Sequence, residues 1–473
     1  MKLLWFLCLF PLVSGALQGA EVSPPSKPNI LFVLTEDWSL DLGCYGNHEL
    51  KTPNVDSLAK EGRLYNLAFC TAPVCSPSRS AMMTGFDQHT IGAQNHRTKD
   101  KKPLPDGIRA IPHLLADAGY YTCLLDGKTD CNFTVEKPLF MGKDWKDRQP
   151  GQPFFAQFTL SASHRPFRRD PASPVDPAKV TLPPYYPDTA LVRRDWADGY
   201  EAMQLADRAF GKVLARLKAE GLEENTLVVF VGDNGLCHAR GKQFLYEAGI
   251  HVPLVIRWPG HVKAGEKNDD LVSTLDIPAS FLAVAGVKPA VPLQGRSLFD
   301  SSLPPRTAVF AGRDLMDETH DAMRVIRTRR YALIHNLMPE RPWMQRSLYK
   351  EDSYPAWDTL QLLHLKSGLT AAQEAFLAPR KPEFELYDME KDPDELHNLA
   401  EDPAMAAVKA ELTDRLAAWQ KEIRDPGVTD EFRAGGGDWK PPADPDFWAK
   451  RVEKFEKRLG VPAQDAPAPA GGH

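Results

Sequence analysis

Three continuous apolar runs constrain this chain most: Pro28-Asn29-Ile30-Leu31-Phe32-Val33-Leu34-Thr35, Phe154 to Leu160, and Thr226 to Val231. None alternates polar with apolar, and each is short and β-branched or aromatic, so each reads as a strand buried on both faces. Such strands belong to a parallel sheet covered by helices on both sides. Leu64 to Phe69, Tyr120 to Leu125 and Val252 to Trp258 read as further strands. Between them lie helix signals. Thr52 is placed to cap a helix with Pro53 at its first position and Gly62 as stop; Ile111 to Ala118 ends at Gly119; a long amphipathic segment from Leu191 to Glu220 ends at Gly221.

Each apolar run gives way to chemically loaded residues. Glu36-Asp37 come after the first, Ser161-Ala162-Ser163-His164 after the second, and Gly232-Asp233-Asn234-Gly235 closes the third. Ligands of open α/β sheets bind beyond the carboxyl ends of the strands. The oxygen donors Asp37, Asp233 and Asn234 suit a hard cation, and His164 can exchange a proton near neutral pH.

The stretch Cys75-Ser76-Pro77-Ser78-Arg79, continued to Gly85, reads as a nucleophile on a short helix, with Ser76 as N-cap and Pro77 at the first helical position. A helix N-terminus favours a bound oxyanion, and Arg79 adds a fixed charge one turn later. The run resembles the Cys-x-Pro-x-Arg signature of type I sulfatases, a family of the alkaline-phosphatase-like superfamily. Arg240 to Pro253, with Lys242 inside it, resembles a second signature of that family, and Glu385-Leu386-Tyr387-Asp388 with Asn398-Leu399 resembles its late strand and turn.

The resemblance implies that Cys75 is converted to formylglycine by a maturing enzyme, and that Glu36, Asp37, Asp233, Asn234 and residue 75 hold Ca²⁺. It further implies that Arg79, Lys128 and Lys242 stabilise a transferring sulfuryl group and that His164 protonates the leaving oxygen. The sequence departs from the family at two points. Glu36 stands where an aspartate is usual, and Lys128-Thr129-Asp130 stands where the family has Lys-x-His, so Asp130 or a histidine from elsewhere must serve there. His238 is near enough in sequence to join the site, whereas His251 beside an apolar strand reads as structural. The basic pairs His96-Arg97, Arg168-Arg169 and Arg193-Arg194 are candidates for subsites that hold an acidic sugar, although paired arginines are ordinarily solvated surface.

The implied fold is α/β, a large mixed, mostly parallel sheet sandwiched by helices over residues 27–305. A smaller C-terminal α+β domain with an antiparallel sheet comes next over 306–430, then a Gly- and Pro-rich tail, 431–473, carrying one amphipathic segment from Asp446 to Leu459. The insertion between Leu337 and Pro382, rich in Trp, Tyr and His, reads either as a border of the cleft or as a satellite apolar cluster. At 473 residues, 43% hydrophobic and 25% charged, the composition is that of a globular protein, and a formal charge of -6 gives no basic footprint for nucleic acid. Lys2, the apolar run Leu3 to Val13 and Ser14-Gly15-Ala16 read as a secretory signal within residues 1–20, too short to span a bilayer. Export is therefore expected, with a sulfated carbohydrate as substrate. Beyond Cys8, six cysteines remain, and with Cys75 consumed by modification five cannot all pair within one chain. Two other readings compete: a phosphatase or phosphodiesterase of the same superfamily, and a non-catalytic relative that holds a sulfated glycan.

Overall fold

The computed structural model describes residues 27–437 and 440–462; the expected signal segment and the last part of the tail lie outside the described residues. The main sheet has seven strands: β1 (Asn29–Thr35), β2 (Arg63–Phe69), β3 (Tyr121–Asp126), β4 (Phe154–Leu160), β5 (Thr226–Gly232), β6 (Leu254–Arg257) and β7 (Glu266–Ser273). Their order is β3-β4-β1-β5-β6-β2-β7, and every pairing is parallel except those of β6 with β5 and β2. All seven residues of β1, β4 and β5 are buried, as continuous apolar runs demand. Each large aliphatic or aromatic side chain in them contributes about 1.5–3 kcal/mol by leaving water.

Register is what turns this sheet into a site. Thr35 of β1 pairs with Leu160 of β4 on one side and Gly232 of β5 on the other. Three neighbouring strands thus end level, and Glu36-Asp37, Ser161 to His164 and Asp233-Asn234 emerge side by side from one edge.

Helices cover both faces. α1 (Pro53–Glu61) begins after Thr52 as expected, but the Thr52 hydroxyl does not cap it. It accepts from the Gly43 amide at 3.0 Å and donates to Asp56 at 3.2 Å. The first-turn amides of Asn54 and Val55 instead reach the carboxylate of Asp207, at 3.2 and 2.9 Å, a side chain of the long helix α3 (Ala190–Ala219). A carboxylate matches the helix dipole better than a hydroxyl does. α2 (Cys75–Thr84) begins two residues earlier than the sequence suggests: Val74 is its N-cap, Cys75 its first residue, and the Ser76 hydroxyl is buried without a hydrogen-bond partner among the described residues. Every residue of α2 is buried.

A second sheet has four antiparallel strands: β8 (Val309–Arg313), β9 (Met323–Arg327), β10 (Tyr331–Asn336) and β11 (Phe384–Asp388), in that order. β9 and β10 are joined by a tight turn in which the Thr328 amide donates to the Tyr331 carbonyl at 2.8 Å. The stretch between β10 and β11 contains α4 (Leu348–Ser353) and α5 (Pro355–Leu365), and its Trp343, Tyr354, Trp357 and Phe376 join the main apolar core. α6 (Ala406–Glu422) covers the small sheet through Leu412, Leu416 and Trp419. The last described helix, α7 (Pro445–Leu459), is capped by Asp444 and buries Trp448 and Phe455. All six described cysteines are free thiols, and among the described residues no helix is long and apolar enough to cross a membrane.

Candidate active site

Cys75 opens α2 with its side chain buried, pointing at the level strand ends. Its Sγ lies 3.2 Å from Lys242 Nζ and 3.8 Å from Asp37 Oδ1. Lys242 Nζ in turn donates to Asp37 Oδ1 at 2.6 Å, and Asn234 Nδ2 donates to the same oxygen at 2.9 Å. Asp37 is wholly buried. Burial alone would raise its pKa, but the Lys242 charge, the His164 ring and the two hydrogen bonds hold its carboxyl far below the usual carboxylate range. Burial and the Asp233 charge push the Cys75 thiol up, so unmodified it is a poor nucleophile.

Asp37, Cys75 and Asp233 each bring one donor atom within 4.8 Å of the others, all three residues buried. Two oxygens there, Asp37 Oδ2 and Asn234 Oδ1, are buried and lack any hydrogen-bond partner among the described residues. Orphaned buried acceptors are rare and call for an explanation. Aspartate and asparagine oxygens converging on one point are the donor set of a hard cation, so these residues fit a bound metal ion.

Asp233 engages two neighbours at once. Its Oδ1 accepts from the Asp37 backbone amide at 3.0 Å and its Oδ2 from Arg79 Nε at 2.8 Å, while Ser78 Oγ donates to its carbonyl. Arg79, four residues after Cys75, is buried at the strand ends by further donation to the Lys128 carbonyl at 3.0 Å and Thr159 Oγ1 at 3.3 Å. A guanidinium can satisfy such a spread of acceptors; an ammonium cannot.

Glu36 stands outside the Asp37–Cys75–Asp233 group. Its carboxylate is engaged by Arg79 at 3.4 Å and Lys128 at 3.3 Å. Burial and the nearby Asp233 and Asp37 charges outweigh those two cations and raise its pKa. Lys128 also reaches Asp130 at 3.5 Å, and Asp130 is gripped by Arg97 through two hydrogen bonds of 3.1 and 2.8 Å. Although burial opposes it, the Arg97 fork keeps the Asp130 carboxyl at about 2, so Asp130 stays an anion.

His164 is partly exposed. Its Nδ1 lies 2.6 Å from the Arg165 carbonyl and its Nε2 3.8 Å from Asp37 Oδ2, which aims Nε2 into the site. His96 is buried beside the site with Nδ1 unpartnered among the described residues, and burial, then the Arg97 and Lys242 charges, lower its pKa to about 3. His238 is stacked on Trp196 at 3.9 Å and accepts from Arg165 at 3.2 Å; burial and the Arg165 charge keep it neutral. It packs in the wall between Trp196 and Arg165. His251 stacks on Phe69 at 4.5 Å and its Nε2 lies 2.8 Å from the Asn66 carbonyl, the structural part expected of it.

Sequence reasoning missed several contributors. Tyr349 of α4 lies with its ring 5.7 Å from Lys242 Nζ and 6.2 Å from the His164 ring, so the insertion both joins the core and borders the site. Asp317 lies within 3.8 Å of His96 and 3.4 Å of Gln243. One signal for the site is conformational and invisible in sequence. Eight described non-glycine residues have positive φ, and five of them, Asp37, Arg97, Asp130, Gln243 and Asp317, surround the site. Such backbone costs of the order of 1 kcal/mol each and persists where the surrounding structure enforces it. The cleft above is lined by Glu36, Lys128, His164, Arg165 and Arg168 among others and encloses about 510 Å³.

The sulfatase family model matches residues 28–138 and 139–287, and the model of the N-sulphoglucosamine sulphohydrolase C-terminal region matches 238–355. An ulvan-active sulfatase of Formosa agariphila is 30% identical over 461 residues, covering 86% of this chain and 77% of that protein. The N-sulphoglucosamine sulphohydrolase of Homo sapiens is 28% identical over 460 residues, covering 85% and 91%. Among solved structures, the phosphonate monoester hydrolase of Agrobacterium radiobacter shares the fold with a TM-score of 0.63 at 18% identity, covering 85% of this chain and 98% of that one. With the signature residues gathered at one sheet edge and the family model spanning more than half its length, this chain belongs to the sulfatase family of the alkaline-phosphatase-like superfamily and is a sulfuric ester hydrolase.

Proposed function

We propose that the chain is exported and removes sulfate from a sulfated carbohydrate, as an ester or a sulfamate, using formylglycine made from Cys75 by a maturing enzyme and one Ca²⁺. The observation that carries this reading is the convergence of Cys75, Lys242, Asp37 and Asp233 within a few ångströms, from α2, the ends of β1 and β5 and the segment that follows β5. The names of the relatives, an ulvan-active sulfatase and a sulphoglucosamine sulphohydrolase, support a glycan substrate. The secretory segment read in residues 1–20 supports export.

Asp37, Asp233 and Asn234 would hold the cation, which when bound polarises sulfate oxygens and lowers the pKa of a coordinated hydroxyl. Formylglycine at position 75 would supply, once hydrated, two hydroxyls on one carbon, which neither cysteine nor serine offers. The remaining work belongs to unmodified side chains. Lys242 and Lys128 place ammonium charges beside residue 75, and Arg79 holds Asp233 in place; together they stabilise charge on a transferring sulfuryl group. His164, with Nδ1 tied to the Arg165 carbonyl and Nε2 facing the site, is placed to protonate the leaving oxygen. Asp130, paired to Arg97, orients Lys128.

Mass spectrometry of the peptide containing Cys75, from protein made with a maturing enzyme, tests the central claim. Conversion lowers the residue mass; an unmodified thiol in active enzyme sinks the proposal, and an unmodified thiol in inactive protein favours the glycan-holding relative. The fold shared with a phosphonate monoester hydrolase favours a second reading, phosphoester or phosphonate hydrolysis. Parallel assays with 4-nitrophenyl sulfate and 4-nitrophenyl phosphate decide between them.

A further inference from the structure

Most cations at the cleft are matched to carboxylates. Lys128 lies 3.3 Å from Glu36, Arg97 2.8 Å from Asp130, Arg165 2.6 Å from Asp195 and Arg169 2.8 Å from Asp198. Arg168 differs: it lines the same cleft as Lys128 and His164, is exposed, and makes no ion pair or hydrogen bond among the described residues. Of the arginine pairs visible in the sequence, the others are spent: Arg193 is bound to Asp188 and Arg194 to Asp198 and Glu201.

The backbone that presents Arg168 is anchored on both sides. Arg165 is buried against Asp195, with the Phe167 ring 4.2 Å from its guanidinium. Asp170 is buried, accepting from Arg208 at 2.7 Å and Gln204 at 3.1 Å, and its amide donates to Glu201 at 2.6 Å. The guanidinium therefore starts from a fixed base a few residues beyond His164, where a sugar ring carrying the scissile group must lie. An exposed, uncommitted guanidinium on an anchored backbone is suited to two-point recognition of a planar carboxylate or a sulfate.

We propose that Arg168 is a specificity-determining residue that binds a second oxyanion of the substrate, a carboxylate or a further sulfate, so that the preferred glycan carries at least two anionic groups. This rests on the sulfatase reading. The test compares wild type, Arg168→Ala and Arg168→Lys on three disaccharides sharing the same scissile sulfate: one otherwise neutral, one with a uronic carboxylate, one with a second sulfate. For Arg168→Ala the expected result is a KM raised about tenfold on one or both two-anion compounds, kcat little changed, the neutral compound unaffected, and partial recovery in Arg168→Lys. Whichever two-anion compound responds identifies the group. Equal effects on all three, or none on either two-anion compound, overturn the proposal. Calorimetric binding of the same compounds to Cys75→Ala, with and without Arg168→Ala, asks the question without turnover. A wild type inactive on every sulfate would sink the sulfatase reading, while about tenfold weaker binding of the two-anion compounds would still support the role of Arg168 and unchanged binding would overturn it.

Discussion

Lys350 Nζ donates to the main-chain carbonyl of Lys242 at 2.9 Å, and to that of Ala239 at 2.8 Å, from a position wholly buried against Phe244 and Trp357. The helix α4 thus reaches under the segment that carries the active-site lysine and pins it. Burial, with the Arg313 and Lys242 charges, pulls the Lys350 ammonium well below the usual lysine range. Replacing it by Met leaves two buried carbonyls without donors, at about 1–3 kcal/mol each. Lys350→Met should lower the urea midpoint and reduce kcat at least tenfold. An unchanged kcat in the folded variant would show that Lys242 needs no such support.

Cys75 is small, buried and not essential to packing. Cys75→Ala should therefore fold with an unfolding midpoint near wild type, yet show no turnover of 4-nitrophenyl sulfate. Cys75→Ser, made in a host that modifies only cysteine, should behave the same way. Residual wild-type activity in either would remove residue 75 from the chemistry.

The orphaned oxygens of Asp37 and Asn234 predict a thermal response to metal. Calcium at about a hundred times its dissociation constant adds roughly 2.7 kcal/mol to a state that alone binds it. Wild type should melt at higher temperature with CaCl₂ than with EDTA, and Asp37→Ala should lose the difference. A calcium shift that survives Asp37→Ala would place the ion elsewhere.

Among the described residues, Asp233 is the sole carboxylate within 3 Å of the buried Arg79 guanidinium. Removing one member of such a pair costs about 3–5 kcal/mol because the other charge stays buried. Asp233→Ala should be far less stable than Asp233→Asn, which keeps an acceptor for Arg79, while both lose activity. Equal stability of the two, read by denaturant midpoint, would argue against this account.

His89 ties the segment after α2 to the small sheet, with Nδ1 2.8 Å from Asp87 and Nε2 2.7 Å from Asp314. Burial and the Arg324 charge press its pKa down, but Asp314 and Asp87 prevail and hold it at about 9, above the 6.5 of a free imidazole. The charged form is the one stabilised. Its contribution, of the order of 3 kcal/mol, is fully present below pH 6.5 and is lost as pH rises through 9. Stability measured between pH 6.5 and 9.5 should fall more steeply in wild type than in His89→Gln; parallel curves would refute the assignment.

Much of this was legible because register and hydrophobic pattern are local. Continuous apolar runs announced β1, β4 and β5, and the residues after each run had to emerge at the same edge. Hidden from sequence were the long-range trades. Thr52 looked like a cap because nothing in its neighbourhood shows that Asp207, 153 residues beyond Asn54, would take the helix amides. Glu36 was visible as a departure, one methylene longer than the usual aspartate, but that its carboxylate turns to Arg79 and Lys128 is something only packing reveals. Lys350 carried no motif at all, since its role lies in reaching another segment's carbonyls.

The helix α7 sits beside residues that precede it by almost three hundred positions: Arg458 and Leu459 line a recess together with Arg165, Pro166 and Arg169, and Arg169 donates to the Leu459 carbonyl. The recess beside Arg165 is consequently assembled from stretches that leave the ribosome far apart in time. A ribosome-bound chain would own its nucleophile long before it owned this wall, and trimming or fusing a partner at residue 445 would reshape the recess without touching a single reacting atom.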